Sequence, residues 1–209
     1  EGGNMVESLP AKLAFRAIDS QGKGIDFQGT LVDENNNRLL SFKPLRFGIG
    51  SFVFTPESDK SYKVLIEIPG SKTIVKDLPA AKTGYVLQLE NAGKEQVKVK
   101  IQANEGSSNQ HLVLIVHTRQ NNKLSESITL NGGKAEILIE KNKLSEGISQ
   151  FTLFNTSGKA LAERLYFIRP ASQLNLEIKA DKSAYLTRKK VSLELLSKDE
   201  KGLDIDADA

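Results

Sequence analysis

A few residues of this 209-residue chain are of a type and spacing that could do chemistry: two histidines, three alternating aspartates, a Gly-x-Gly and an adjacent Glu-Arg pair. His111 and His117 stand six apart around the strand-like run Leu112-Val113-Leu114-Ile115-Val116. Extended backbone rises ~3.3 Å per residue, which sets them ~20 Å apart, too far to share a metal ion. Exposed or capping histidines are the expectation. Asp204, Asp206 and Asp208 alternate, so a strand would carry all of them on one face and invite calcium. A calcium loop of the EF-hand kind needs a glycine at its sixth position and a glutamate at its twelfth, and the sequence ends first. A solvated strand face is expected instead. Gly48-Ile49-Gly50 has Val53 where a dinucleotide fingerprint requires its third glycine, and no helical pattern follows, so a bulge or tight bend is expected. Glu163-Arg164 enters the apolar run Leu165-Tyr166-Phe167 and suggests a structural ion pair or backbone clamp. Asn155-Thr156-Ser157 matches a glycosylation sequon, a pattern that arises often by accident. No nucleophile, base and metal set assembles from these residues. The expectation is no enzyme, with catalytic residues none, cofactors none and metal none.

Composition narrows the classes further. The 29 basic residues nearly balance the 26 acidic ones and are interspersed with them, which makes no stripe for nucleic-acid phosphates. The chain has no cysteine, which excludes disulfides, thiolate metal sites and a cysteine nucleophile and leaves the redox compartment open. No apolar run approaches the ~18 residues of a membrane helix, so no direct membrane insertion is expected. The start at Glu1-Gly2-Gly3-Asn4 carries neither an initiator methionine nor a signal peptide, and an upstream segment missing from this sequence is expected.

The elements that would carry these residues read as strands. Apolar and polar residues alternate at period two in Leu13-Ala14-Phe15-Arg16-Ala17-Ile18, Tyr62-Lys63-Val64-Leu65-Ile66, Val97-Lys98-Val99-Lys100-Ile101, Phe151-Thr152-Leu153-Phe154 and Leu174-Asn175-Leu176-Glu177-Ile178. Turn clusters such as Ser20-Gln21-Gly22-Lys23-Gly24, Glu34-Asn35-Asn36-Asn37 and Thr156-Ser157-Gly158 separate the strands. No dozen residues keep a 3.6 period with caps, so the chain is predicted to be all-β. An internal repeat is visible: the strand 12–18 followed by SQGKGIDF aligns without gaps on 190–196 followed by KDEKGLDI, and a weaker copy runs over 112–124. That spacing suits tandem sandwich domains, predicted at 1–92, 93–170 and 171–209, with joints at Ala92-Gly93-Lys94 and Ala171-Ser172. The third holds too few strands to close a two-layer core, so it is expected to be truncated and to continue beyond Ala209.

Asp181-Lys182-Ser183-Ala184-Tyr185-Leu186-Thr187-Arg188-Lys189-Lys190-Val191 resembles the opening of the second macroglobulin domain (MG2) of the α2-macroglobulin superfamily, with Arg188-Lys189 in place of the usual Pro-Gly. The head EGGNMVESLPAKLAFRA, together with the stretches 47–56, 146–154 and 161–167, resembles large macroglobulin-domain envelope proteins of Bacteroidetes. Some of those end in a TonB-dependent receptor plug-like domain. The resemblance implies tandem immunoglobulin- or fibronectin-like β-sandwiches of macroglobulin type, the third one truncated. It implies a non-catalytic structural or interaction module of a larger exported protein, in the periplasm or associated with the outer membrane. The implied partners are other domains of the same protein and, beyond them, protein partners in the outer membrane. The family's thioester joins a Cys to a Gln, and a chain without cysteine cannot form it. The alternative is a protein- or glycan-binding module of an outer-membrane uptake system; the lack of tryptophan, with four tyrosines mostly on strands, speaks against the glycan version. In a complete third domain, Tyr185 should cover the bottom of the core while its hydroxyl bonds a backbone group.

Overall fold

A computed structural model describes residues 3–104, 109–172 and 174–206. Among them the chain is all-β, with one turn of 3-10 helix at Lys141–Lys143. It divides into two compact units, Glu1–Phe167 and Ile168–Ala209.

The first sandwich of the larger unit uses β1 (Ala11–Arg16), β2 (Gln28–Asp33), β3 (Arg38–Phe42), β4 (Ile49–Phe54), β5 (Tyr62–Glu67) and β6 (Ile74–Asp77). Strands β1 and β4 pair antiparallel as a two-stranded sheet, and the order β3-β2-β5-β6 forms a four-stranded one. Period two decides what each face meets: Leu13 and Phe15 of β1 turn inward, while Lys12, Ala14 and Arg16 are exposed. The two layers close on Leu31, Phe54, Tyr62 and Val64, with Leu13, Phe42, Phe52 and Ile66 packed against them. Aromatic rings run through this core, with Phe42 and Phe52 stacked at 4.4 Å and Phe15 5.0 Å from Phe42. Gly29 and Gly50 make room for them. A Cβ on either glycine would fall 2.4 Å from the ring of Phe42 or Phe15, respectively.

The second sandwich uses β7 (Tyr85–Ala92), β8 (Gln96–Ala103), β9 (Asn109–Thr118), β10 (Asn121–Asn131), β11 (Lys134–Glu140), β12 (Gly147–Asn155) and β13 (Ala160–Ile168), in the order β13-β12-β9-β10-β11-β8-β7. Strands β10 and β11 are registered only through Asn131 and Lys134. At that corner the sheet folds on itself. Val97 and Val99 of β8, Leu114 of β9 and Phe151 and Leu153 of β12 are fully buried between the halves. The hydroxyl of Tyr85 donates to Gln110 Oε1 and that of Tyr166 to Asn91 Oδ1, tying β7 to β9 and β13, which are not its ladder neighbours. The joint expected between residues 92 and 93 lies inside this sandwich. Gly93, at φ 73°, is the turn of the β7–β8 hairpin, which pairs continuously from Tyr85↔Ala103 to Ala92↔Gln96. A glycine before a charged residue reads as a linker or as a hairpin turn from local sequence alone, and here strand pairing decides for the turn.

The two sandwiches are stitched by the head of the chain. Val6 is wholly buried and forms a parallel bridge with Lys82; Glu7 N donates to Lys82 O at 3.1 Å and Lys82 N to Met5 O at 3.0 Å. Ser8 N donates to Pro56 O in the first sandwich, while Asn104 of the second donates through Nδ2 to Glu7 O and accepts through Oδ1 from Gly84 N.

The smaller unit is a hairpin of β14 (Asn175–Ala180) and β15 (Leu193–Lys198). Ile178 pairs with Leu195 and Ala180 with Leu193, so Leu176, Ile178, Leu193 and Leu195 share one face, and all are exposed, Leu195 at 63%. In the connection, Tyr185 is half-buried; its hydroxyl accepts from Lys182 N at 3.0 Å and donates to Asp181 Oδ1. The same carboxylate accepts from Ser192 N, closing the loop onto the start of β15.

One turn recurs at Asp19, Asp33, Asn155 and Asp199. In each, the side-chain Oδ1 accepts the N–H groups two and four residues on, at 2.8–3.1 Å. The backbone carbonyl accepts from the residue three on, and that residue has positive φ: Gly22, Asn36, Gly158 and Gly202. The sequences are DSQGK, DENNN, NTSGK and DEKGL. Such side chains satisfy the backbone of a tight hairpin loop, and Gly or Asn tolerates its left-handed corner. This places Asp19 on Asp199 and the bridge Ile18↔Gly24 on Lys198↔Asp204. The gapless sequence alignment, which set Gln21 on Asp199, is two residues out of register. The weaker copy near residue 120 is a different turn, a two-residue hairpin with Arg119 and Gln120 at φ 47° and 66°.

Candidate functional site

A cleft of ≈ 390 Å³ lies between the two sandwiches of the 1–167 unit. Its walls come from the head (Gly3, Asn4, Met5), from β1 (Ala11 to Ala14), and from Pro79, Val86 and Arg164. Arg164 is there because β13 alternates: Ala162, Arg164 and Tyr166 turn inward and Glu163, Leu165 and Phe167 outward. Glu163 therefore meets a different neighbour, accepting a hydrogen bond at Oε2 from Gln150 Nε2. Glu163 and Arg164 stand on opposite faces of β13.

A second, apolar opening of ≈ 120 Å³ continues along β1 from Leu13 to Ala17 and is lined by Phe15, Phe27, Phe42 and Phe52. The cleft and the opening share Leu13 and Ala14. Phe52 of β4 also lines the opening, and among the described residues β4 is the only ladder neighbour of β1. The cleft lining offers two cations, Lys12 and Arg164, an amide and apolar surface, with no carboxylate, imidazole or hydroxyl side chain among the described residues. Such a lining can bind but supplies no general base or nucleophile.

The other sequence candidates stay apart. His111 Nδ1 lies 3.1 Å from Thr129 Oγ1 at the surface, and His117 is half-buried at the far end of β9. Asp204 and Asp206 are exposed, and Asp208 and the head residues Glu1 and Gly2 lie outside the described residues. Among the described residues no group of three or more His, Cys, Asp or Glu could hold a metal ion, and no helix is long and apolar enough to cross a membrane. Gly48-Ile49-Gly50 is a tight bend in which Ile49 N donates to Arg46 O, with Phe47 at φ 54° on an exposed tip. Asn155 of the sequon spends its Oδ1 on its own turn, accepting from Ser157 N and Lys159 N. Two carboxyls sit below the usual aspartate range: Asp33, chiefly through the side-chain amide of Asn37, and Asp181, chiefly through the hydroxyl of Tyr185. Lys60 and Lys100 are raised by ion pairs with Glu57 and Glu90, both at 2.7 Å. These are turn and strand supports.

The side of β1 escaped sequence reasoning. Lys12-Leu13-Ala14-Phe15-Arg16 announces a strand with a cationic outer face, but which strand it pairs with, and which side it leaves open, depends on residues almost forty positions away in β4.

No family model and no curated protein matches the chain. Among solved structures, E. coli alpha-2-macroglobulin in its native conformation matches at TM-score 0.29 and 13% identity, over 95% of this chain and 16% of that one. The chain thus spans about a sixth of that protein's length. The all-β sandwich architecture stated above rests on the sheets themselves.

Proposed function

We propose that the chain is a non-catalytic structural and interaction module of a larger exported, envelope-associated protein, where consecutive β-sandwiches space or present other domains. The supporting observation is the joint: a head segment anchored by the buried Val6 and hydrogen-bonded to both sandwiches ties the two together within the 1–167 unit, as a spacer requires. Residues 168–209 add a further strand-and-turn unit of the same kind. The support is the repeated strand and turn around Asp199 and the uncovered apolar face of β14 and β15. The Bacteroidetes and TonB-receptor association belongs to the same proposal and draws on the sequence resemblance alone.

The test is fractionation of cells that make the whole protein, probed with an antibody to residues 1–167. Recovery with the outer membrane or periplasm supports the proposal; recovery with the cytosol contradicts it. A ligand-binding role within an uptake system is the second reading, favoured by the groove beside β1.

A further inference from the structure

The hairpin of the smaller unit leaves one edge of β14 without a ladder partner among the described residues, and every residue of that strand is exposed. Antiparallel pairs alternate between residues that exchange hydrogen bonds with the neighbour and residues whose polar groups point away. Asp181 N donates to Ser192 O in the register of the hairpin, and this fixes the parity. Asn175, Glu177 and Lys179 bond β15, while the N–H and C=O groups of Leu176, Ile178 and Ala180 face the open edge. The other edge of the hairpin is already engaged at its end, where Ser197 O accepts from Ile205 N and Lys198 pairs with Asp204.

Charge decides what the open edge fits. Glu177 and Lys179 stand on one face of β14, opposite to that of Ile178, with their charged groups 3.3 Å apart and both side chains about half exposed. An antiparallel second copy of β14 centred on Ile178 sets Glu177 against Lys179 of that copy and Lys179 against its Glu177. Both fall at positions that exchange no hydrogen bonds, where the Cα atoms of neighbouring strands approach to ~4.5 Å and opposite charges attract. Ile178 then meets Ile178, and Leu176 meets Ala180. Moving the centre by one residue sets Glu177 against Glu177 or Lys179 against Lys179, and like charges disfavour both registers. Strand β6 has no such match, because its Lys76 and Asp77 are adjacent and lie on opposite faces.

We infer that the open edge of β14 pairs with β14 of a second copy of this chain, antiparallel and centred on Ile178. An isolated two-stranded ribbon is marginal in water, and the sheet β15-β14-β14-β15 so formed has four strands. A bare edge of this kind is a template for another chain, and here the charges choose the same chain in one register. The inference stands apart from the spacer role, which needs no self-association.

The test is sedimentation velocity of the full chain at low salt, between about 10 and about 500 µM. Edge pairing buries little surface, so a dimer with a Kd on the order of 0.2 mM is expected. Over that range amide exchange at Leu176, Ile178 and Ala180 should slow about threefold, with Glu177 and Lys179 unchanged. Glu177→Lys and Lys179→Glu, each alone, set like charges against each other twice and should weaken the dimer about tenfold; the two together should restore it. Glu34→Lys, an equal change of net charge in the larger unit, should leave it unchanged. If a single variant disorders the hairpin, the exchange pattern of the native chain decides. The inference is overturned if the chain stays monomeric at about 500 µM or if those three amides do not slow. It is also overturned if the double variant fails to restore a dimer that the single ones weaken. A dimer that neither single variant weakens overturns it as well, because the copies then meet through another surface.

Discussion

Strands β1 and β15 occupy corresponding places in two copies of one strand-and-turn unit, yet one is packed and the other is bare. Both lead into an aspartate-capped turn, at Asp19 and Asp199, with the same hydrogen bonds and the same left-handed glycine. Leu13 and Phe15 of β1 lie under the four-stranded layer, whereas their counterparts Leu193 and Leu195 are 58% and 63% exposed. A hairpin is thus specified by a few adjacent residues. A core is specified only when a second layer arrives, and most of the stabilisation depends on that layer.

The largest expected contrast is in core truncation. Phe151→Ala removes a fully buried ring from the second sandwich and should cost about 3–5 kcal/mol in urea unfolding. Leu195→Ala, on the bare face, should change stability by about 0.5 kcal/mol or less. Equal costs would mean that the face is covered after all. Next comes Gly50→Ala, which drives a methyl into the ring of Phe15 and should cost about 1–3 kcal/mol by forcing the aromatic cluster to shift. Asn155→Ala removes the acceptor for two turn amides and should cost about 1 kcal/mol, because the sandwich on either side still holds the strands together.

The smallest effect is acid dependence. The folded state holds the Asp33 carboxyl below its ordinary 3.8, so the stability it contributes is present above that pH and is lost as pH falls through the lower folded value. The difference in melting temperature between the native chain and Asp33→Asn should therefore be constant above about pH 5 and shrink below pH 3.8. A difference that grows on acidification would contradict this sign.

Period-two patterning was legible wherever one strand face is solvated, as in Val97-Lys98-Val99-Lys100-Ile101, because alternation reports burial residue by residue. The four aspartate and asparagine turns were legible as turns, but their shared geometry was not. It depends on which residue supplies the side-chain acceptor, so the visually similar Lys-Gly-Ile-Asp and Lys-Gly-Leu-Asp runs drew the alignment two residues off. Local sequence makes the turn at Gly93 read as a joint because the partners from Tyr85↔Ala103 to Ala92↔Gln96 carry no local mark. The groove beside β1 was hidden for the same reason: an open edge is a property of sheet order.

The central claim is that the chain joins a closed, two-core unit to a hairpin whose apolar face is uncovered. Amide hydrogen exchange on a demonstrated monomer tests it most directly, comparing Phe151–Phe154 in β12 with Leu193–Leu196 in β15. The β12 amides should exchange only through global opening, and those of β15 that bond β14 should exchange orders of magnitude faster. Equal protection of the two segments would show that β14 and β15 share a closed core and would contradict the claim.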